Sequence, residues 1–185
     1  MATRRRAAIE RQALDLLQQQ GLLSAPIDVQ QLARRLNMKV IFKFFEDDGL
    51  SGIVFRGSDG VITLGINTLN TEARQRFSVA HEIGHALLHL KSAGNEELFV
   101  DPPARVMFRD GSASLGEDRR EIEANQFAAG LLMPAPLIRE IASKLVASNK
   151  SVTVGDVLER LTQRFKVSGQ AMRFRLVTLG VIDPE

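Results

Sequence analysis

The chain has 185 residues, 44% of them hydrophobic and 25% charged, enough to bury one good core in an ordinary soluble domain. Lys and Arg number 24 against 22 Asp and Glu, a formal net charge of +2, so no global attraction to nucleic acid follows. Cysteine is absent, which excludes disulfides and thiolate metal sites and suits a reducing cytosol.

The opening stretch MATRRRAAIERQALDLL is basic and then amphipathic. It lacks the unbroken apolar run of a secretory signal, and no segment approaches the ~20 apolar residues of a membrane span. A cytoplasmic protein with no membrane partner is therefore expected. Ile9, Ala13, Leu16 and Leu17 keep helical spacing, and Gly21 ends that helix. A second helix follows from Asp28 as N-cap, with Val29, Leu32, Ala33 and Leu36 inward. Residues 39–45, 50–56 and 61–66 read as strands, the last two joined by the turn Gly57-Ser58-Asp59-Gly60. A small three-stranded antiparallel sheet is expected. Either 49–55 or 61–66 would suit a substrate backbone added along a sheet edge, the alternative being a plain structural hairpin.

Residues 81–85 read HEIGH. Four residues on an α-helix turn through about 400°, so His81 and His85 leave one face and can reach one ion. Glu82 projects about 100° away, where it can take a proton from an attacking water. With His81 at zero, Arg74, Ser78, Glu82, His85 and His89 all fall within about 20–100°, and most of the remaining girth is apolar. That describes a buried helix with one polar stripe, which carries all three histidines of the chain. His89 lies about 12 Å along the axis from His81, too far to share the ion, and reads as a hydrogen-bonded structural histidine.

A third ligand must come from elsewhere. Extension to a later histidine is excluded, because Leu88 and Lys91 stand where that pattern needs Gly and His. The segment EDRREIEANQFAAGLLM (117–133) is helical by spacing and holds two candidates. Glu121 shares its face with Asn125, Ala128 and Leu132, whereas Glu123 falls near 200°, with Arg119, Gln126 and Gly130. Glu121 is therefore the expected ligand and Glu123 a solvated charge. Asn125 is either a hydrogen-bond partner of a ligating imidazole or an amide bonded to backbone.

Residues 91–116 show no clear period and suggest a loop over the cleft, or partial disorder. The tail has a helical stripe at Val154, Val157, Leu158 and Leu161, a turn at 165–169, and a final helix bearing Arg173 and Arg175. That outline matches a DNA-reading hairpin, but so does any helical hairpin, and direct nucleic-acid binding is not expected.

RFSVAHEIGHALLH (76–89), followed by EIEANQFAAGLLMP (121–134), resembles the ImmA/IrrE family of zinc metallopeptidases. The resemblance extends more weakly over about residues 26–182. It implies a site of two histidines and a glutamate, placing the ligand on Glu121, three before the Ala-Asn pair. It also implies a protein substrate, a helix-turn-helix repressor. The resulting expectation is an α+β fold, mainly helical and zincin-like. It would comprise an N-terminal helix (1–25), a metallopeptidase core (26–150) and a C-terminal helical hairpin (151–185). Zn²⁺ would sit on His81, His85 and Glu121, with Mn²⁺ or Fe²⁺ suited to the same donors. Glu82 would be the catalytic base. The competing expectation is a DNA-binding or repressor-sequestering regulator whose metal site does little hydrolysis.

Overall fold

The computed structural model describes residues 2–46, 49–90, 97–100, 117–148 and 151–183. Among the described residues, seven helices and four strands run in the order α1 (Ala2–Gln19), α2 (Val29–Arg35), β1 (Met38–Lys43), β2 (Gly52–Arg56), β3 (Ile62–Asn67), α3 (Glu72–Leu88), β4 (Glu97–Val100), α4 (Glu117–Leu132), α5 (Ala135–Ser148), α6 (Val154–Phe165) and α7 (Gly169–Thr178).

Local chemistry sets most boundaries. Gly21 takes φ +61° after α1, a conformation that costs glycine nothing. The Asp28 side chain caps α2 by accepting from the Gln31 amide at 2.8 Å. Thr71 caps α3. Thr153 and Asp156 close a capping box on α6, and Ser168 caps α7. The turn between β2 and β3 is closed by Asp59 Oδ1, which accepts from the Val61 amide, with Gly60 at φ +81°.

The sheet corrects the expected three-stranded antiparallel meander. Its order is β1-β3-β2-β4, with β1 parallel to β3 and the other pairs antiparallel. β2 and β3 form the anticipated hairpin, but the chain crosses after β1 so that β3 takes the centre. All of β3 beyond Ile62 is buried, whereas β1 from Ile41 to Lys43 is exposed. Strand β4 falls inside the stretch read as a loop. The remainder of that stretch, and the lid assigned to it, lies outside the described residues. Of the two strands nominated for substrate addition, β3 has no open edge, and β2 has none from Ile53 to Arg56. β3 lies between β1 and β2, and β2 pairs with β4 across Ile53–Arg56. β3 is a structural strand here, and so is β2 from Ile53 onward.

Two polar anchors hold the hairpin against the helices. Buried Asn67 accepts from the Leu69 amide at 3.0 Å and donates to the Leu50 carbonyl at 2.8 Å. Ser51 Oγ accepts from Nε and Nη2 of Arg74 at 3.1 and 2.9 Å. The start of β2 is thus pinned to the first turns of α3.

The core gathers Ile9, Ala13 and Leu17 of α1, Val54, Leu64 and Ile66 of the sheet, Ile83 of α3, Phe127, Ala128 and Leu131 of α4, and Leu161, Phe165 and Leu176 of the tail. Each of the larger side chains among these contributes about 1.5–3 kcal/mol on leaving water. Helix α4 is sandwiched, with α3 on one side and α1 on the other. A Cβ on Gly84 would stand 3.3 Å from Ala124 Cα, and one on Gly130 would stand 3.5 Å from Glu10 Cα. Glycine at these two positions lets three helix backbones approach closely.

The tail is a helical hairpin turning through Lys166 at φ +52°. Arg175, one of the two arginines noted on the final helix, is only 3% exposed. Its Nε donates to the Met133 carbonyl at 3.1 Å, and its Nη1 donates to Glu10 at 2.9 Å. It ties α7 to α1 and to the end of α4, and it is not available to a duplex.

Candidate metal centre

Helix α3 carries His81, Glu82 and His85 into the interior, where they are 3%, 1% and 1% exposed. Gly84, between Glu82 and His85, faces α4. Without a side chain there, the α4 backbone comes close enough for Glu121 to reach across. The Nε2 atoms of His81 and His85 lie 2.9 Å apart. Glu121 Oε2 is 3.2 Å from Nε2 of His81, and its Oε1 is 3.0 Å from Nε2 of His85. One ligand atom from each residue falls within 4.8 Å of the other two. The three side chains expected to share an ion are therefore brought together.

The polarity of these atoms fits a cation. Nδ1 of His81 is 3.0 Å from Asn125 Oδ1, which can only accept. His81 must then carry its proton on Nδ1, which leaves the Nε2 lone pair aimed at His85 and Glu121. A lone pair and a carboxylate converging in a buried space call for a positive charge. Of the two roles considered for Asn125, the geometry matches the one that orients an imidazole.

Electrostatics agree. Burial acts to raise the Glu121 carboxyl, but the adjacent His81 and His85 imidazoles outweigh it and hold the group at about 2. Glu121 is an anion throughout the physiological range. His85 and His89 are both shifted below the ordinary imidazole value, chiefly by burial. Neutral imidazoles are what metal ligation requires.

Glu82 sits beside this group under strand β2. A Cβ on Gly52 would stand 2.5 Å from Glu82 Oε1, so only glycine leaves the carboxylate its place. The Arg74–Ser51 clamp holds that glycine in position. Neither Gly52 nor Arg74 was singled out from the sequence. Arg74 was noted on the polar stripe without a role, and no local pattern in the chain marks Gly52.

Glu123 corrects an expectation. Read as a solvated charge on an outward face, it is 7% exposed. Around Glu123 that face is covered by α1, although Arg119, one turn earlier, stays exposed. Arg5 donates from Nε to Oε1 at 3.0 Å and from Nη2 to Oε2 at 2.6 Å. The ion pair with Arg5, foremost, draws the Glu123 carboxyl down to about 2. His89 Nε2 lies 3.5 Å from Glu123 Oε2, and His89 Nδ1 lies 3.1 Å from Nδ1 of His85. His89 is the hydrogen-bonded structural histidine foreseen, and it stands behind a candidate ligand.

The sequence profile of the peptidase M78 family, the IrrE N-terminal-like domain, matches residues 33–177. The radiation response metalloprotease IrrE of Deinococcus radiodurans is 32% identical over 112 residues, 60% of this chain. That match spans only 29% of the relative's length. A Mycobacterium tuberculosis transcriptional regulator superposes with a TM-score of 0.58 at 17% identity, covering 92% of this chain and 46% of that one. This likeness concerns the fold alone. The chain belongs to the IrrE N-terminal-like family. No helix among the described residues is long and apolar enough to cross a membrane.

Proposed function

We propose that the chain is a zinc-dependent peptidase of the HExxH type that cleaves a protein partner, a helix-turn-helix repressor. The observation that carries this reading is the convergence of His81, His85 and Glu121 beside the buried Glu82. Two imidazoles and a carboxylate suit Zn²⁺ with one position left for water. The same donors would accept Mn²⁺ or Fe²⁺. A bound cation supplies Lewis acidity, lowering the pKa of a coordinated water toward ~7 and polarising the scissile carbonyl.

The chain's own residues do the rest. Asn125 holds His81 in the tautomer that presents Nε2. Glu121 stays ionised and offsets part of the cation's charge. Glu82 accepts the proton of the attacking water and returns it to the departing amine. Gly52 leaves room for that carboxylate, and burial keeps bulk water from competing for it. The chain has no tyrosine, so no phenol supports the developing oxyanion.

The repressor as substrate rests on the family resemblance, in a protein that spans under a third of the matched metalloprotease. The test is incubation of purified protein, with and without Zn²⁺, with purified helix-turn-helix repressors from its own source genome. Cleavage by wild type and none by Glu82→Gln, at equal zinc content, is the expected result. Loss of repressor function without cleavage, equal in both forms, would replace the peptidase reading with sequestration. Burial of Arg175 argues against the DNA-binding form of that alternative.

A further inference from the structure

Behind the candidate ligands lies a chain of polar groups that the hydrolytic mechanism does not use. It runs from His85 to His89 on α3, to Glu123 on α4, and to Arg5 on α1, all within hydrogen-bonding reach. Its directionality follows from proton counting. If Nε2 of His85 presents its lone pair to a cation, its only proton is on Nδ1. That N–H meets Nδ1 of His89 at 3.1 Å, which must then be an acceptor. His89 therefore carries its own proton on Nε2, aimed at Glu123 Oε2 at 3.5 Å. A carboxylate is the one partner there that can only accept. Glu123 is kept in place by the paired donors of Arg5 and by Nε of Arg119 at 3.4 Å. Every proton has a single consistent place, and the sequence of donors and acceptors ends on a fixed positive charge.

We infer that His89 is a positioning residue for the metal, holding His85 as the Nδ1–H tautomer, and that Arg5 of the N-terminal helix anchors it through Glu123. Helix α1 is thereby part of the metal site, although Arg5 lies outside the segment matched by the family profile, 33–177. His81 and His85 are oriented in parallel ways, one by the Asn125 amide and the other by a second imidazole. Outer partners of this kind raise the basicity of a ligating histidine and fix its ring. The inference rests on the proposed metal centre, and the experiment separates the two.

The experiment measures Zn²⁺ affinity by competition with a chromophoric chelator, alongside the imidazole ¹H–¹⁵N spectrum of the zinc-loaded protein. Wild type should bind one Zn²⁺, and His81→Ala should abolish binding. If wild type binds no Zn²⁺, the metal centre itself fails, and this inference fails with it. His89→Leu removes the acceptor and should weaken binding by roughly 10–100-fold. His89→Asn keeps an oxygen acceptor near the Nδ1 position and should remain within about threefold of wild type. The wild-type spectrum should show His85 protonated on Nδ1 and His89 on Nε2. Wild-type affinity in His89→Leu overturns the inference. So does equal weakening in the Leu and Asn variants, which would signal packing alone. Arg5 is 47% exposed, so Arg5→Met should fold even if His89→Leu does not. A severalfold loss of Zn²⁺ affinity in Arg5→Met supports the link to α1, and no change overturns it.

Discussion

Replacing Gly52 with alanine should nearly silence hydrolysis while leaving the metal in place. The added Cβ would stand 2.5 Å from Glu82 Oε1 and 3.2 Å from its Cδ and Cγ. Van der Waals contact needs roughly 3.5 Å, so one partner must retreat by about 1 Å. The strand cannot supply that movement cheaply. β2 is paired with β3 on one side and β4 on the other, and its start is pinned by Arg74. The carboxylate is the far end of a flexible side chain and gives way instead. A displacement of about 1 Å in a catalytic group costs on the order of 100-fold in rate, or about 2.7 kcal/mol on the barrier. The ligands His81, His85 and Glu121 are untouched. The assay is turnover of the partner repressor, or of a quenched fluorescent peptide library, at saturating Zn²⁺. Melting temperature and zinc content are measured on the same preparations. A variant that retained more than roughly a third of wild-type turnover, with fold and zinc unchanged, would refute the assignment of Glu82 as a proton carrier held in place by β2.

Three further outcomes follow from the same geometry. Gly84→Val should press α4 away from α3, because even a Cβ there meets the Ala124 backbone at 3.3 Å. Overpacking of this kind costs about 1–3 kcal/mol, and withdrawal of Glu121 should weaken Zn²⁺ binding more than about tenfold in chelator competition. Chelation of the metal should lower the unfolding midpoint, the loss of stability being about 2.7 kcal/mol when free Zn²⁺ had stood at 100 times its dissociation constant. A melt indifferent to chelator would remove the site. The Glu10–Arg175 pair should give the stability curve an acid limb. Burial acts to raise the Glu10 carboxyl, but Arg175 and Arg6 outweigh it and hold it below its ordinary value of 4.5. A depressed carboxylate stabilises the fold above that ordinary value and loses the contribution as pH falls through the lower, folded value. Glu10→Gln should cost about 2–3 kcal/mol near neutrality, and its deficit in urea unfolding should shrink on acidification below pH 4.5. A deficit that held constant with pH would contradict the pairing.

Much of the site was legible in the chain because its chemistry is local. His81 and His85 share a face by helical repeat alone, and the same arithmetic distinguished Glu121 from Glu123. The cap at Asp28 and the turns at Gly57–Gly60 and 165–169 are likewise short-range. The sheet is a different matter. Strand alternation does not say which neighbour a strand pairs with, so β1 beside β3, and β4 on the far edge, were invisible in it.

The reading of Glu123 failed for a related reason. A helical wheel identifies one inward face by assuming that the opposite face meets water. On α4 that face meets α1, and the partner that makes Glu123 structural stands 118 positions away in sequence. Gly52 beside Glu82 and Gly84 beneath α4 are likewise ordinary glycines until two backbones approach. Residue type and helical repeat alone determined the donors: two imidazoles on one turn, a carboxylate on another helix, and a neighbouring glutamate. Only the tertiary packing decided what surrounds them, because distance in space between remote segments has no periodic signature along the chain.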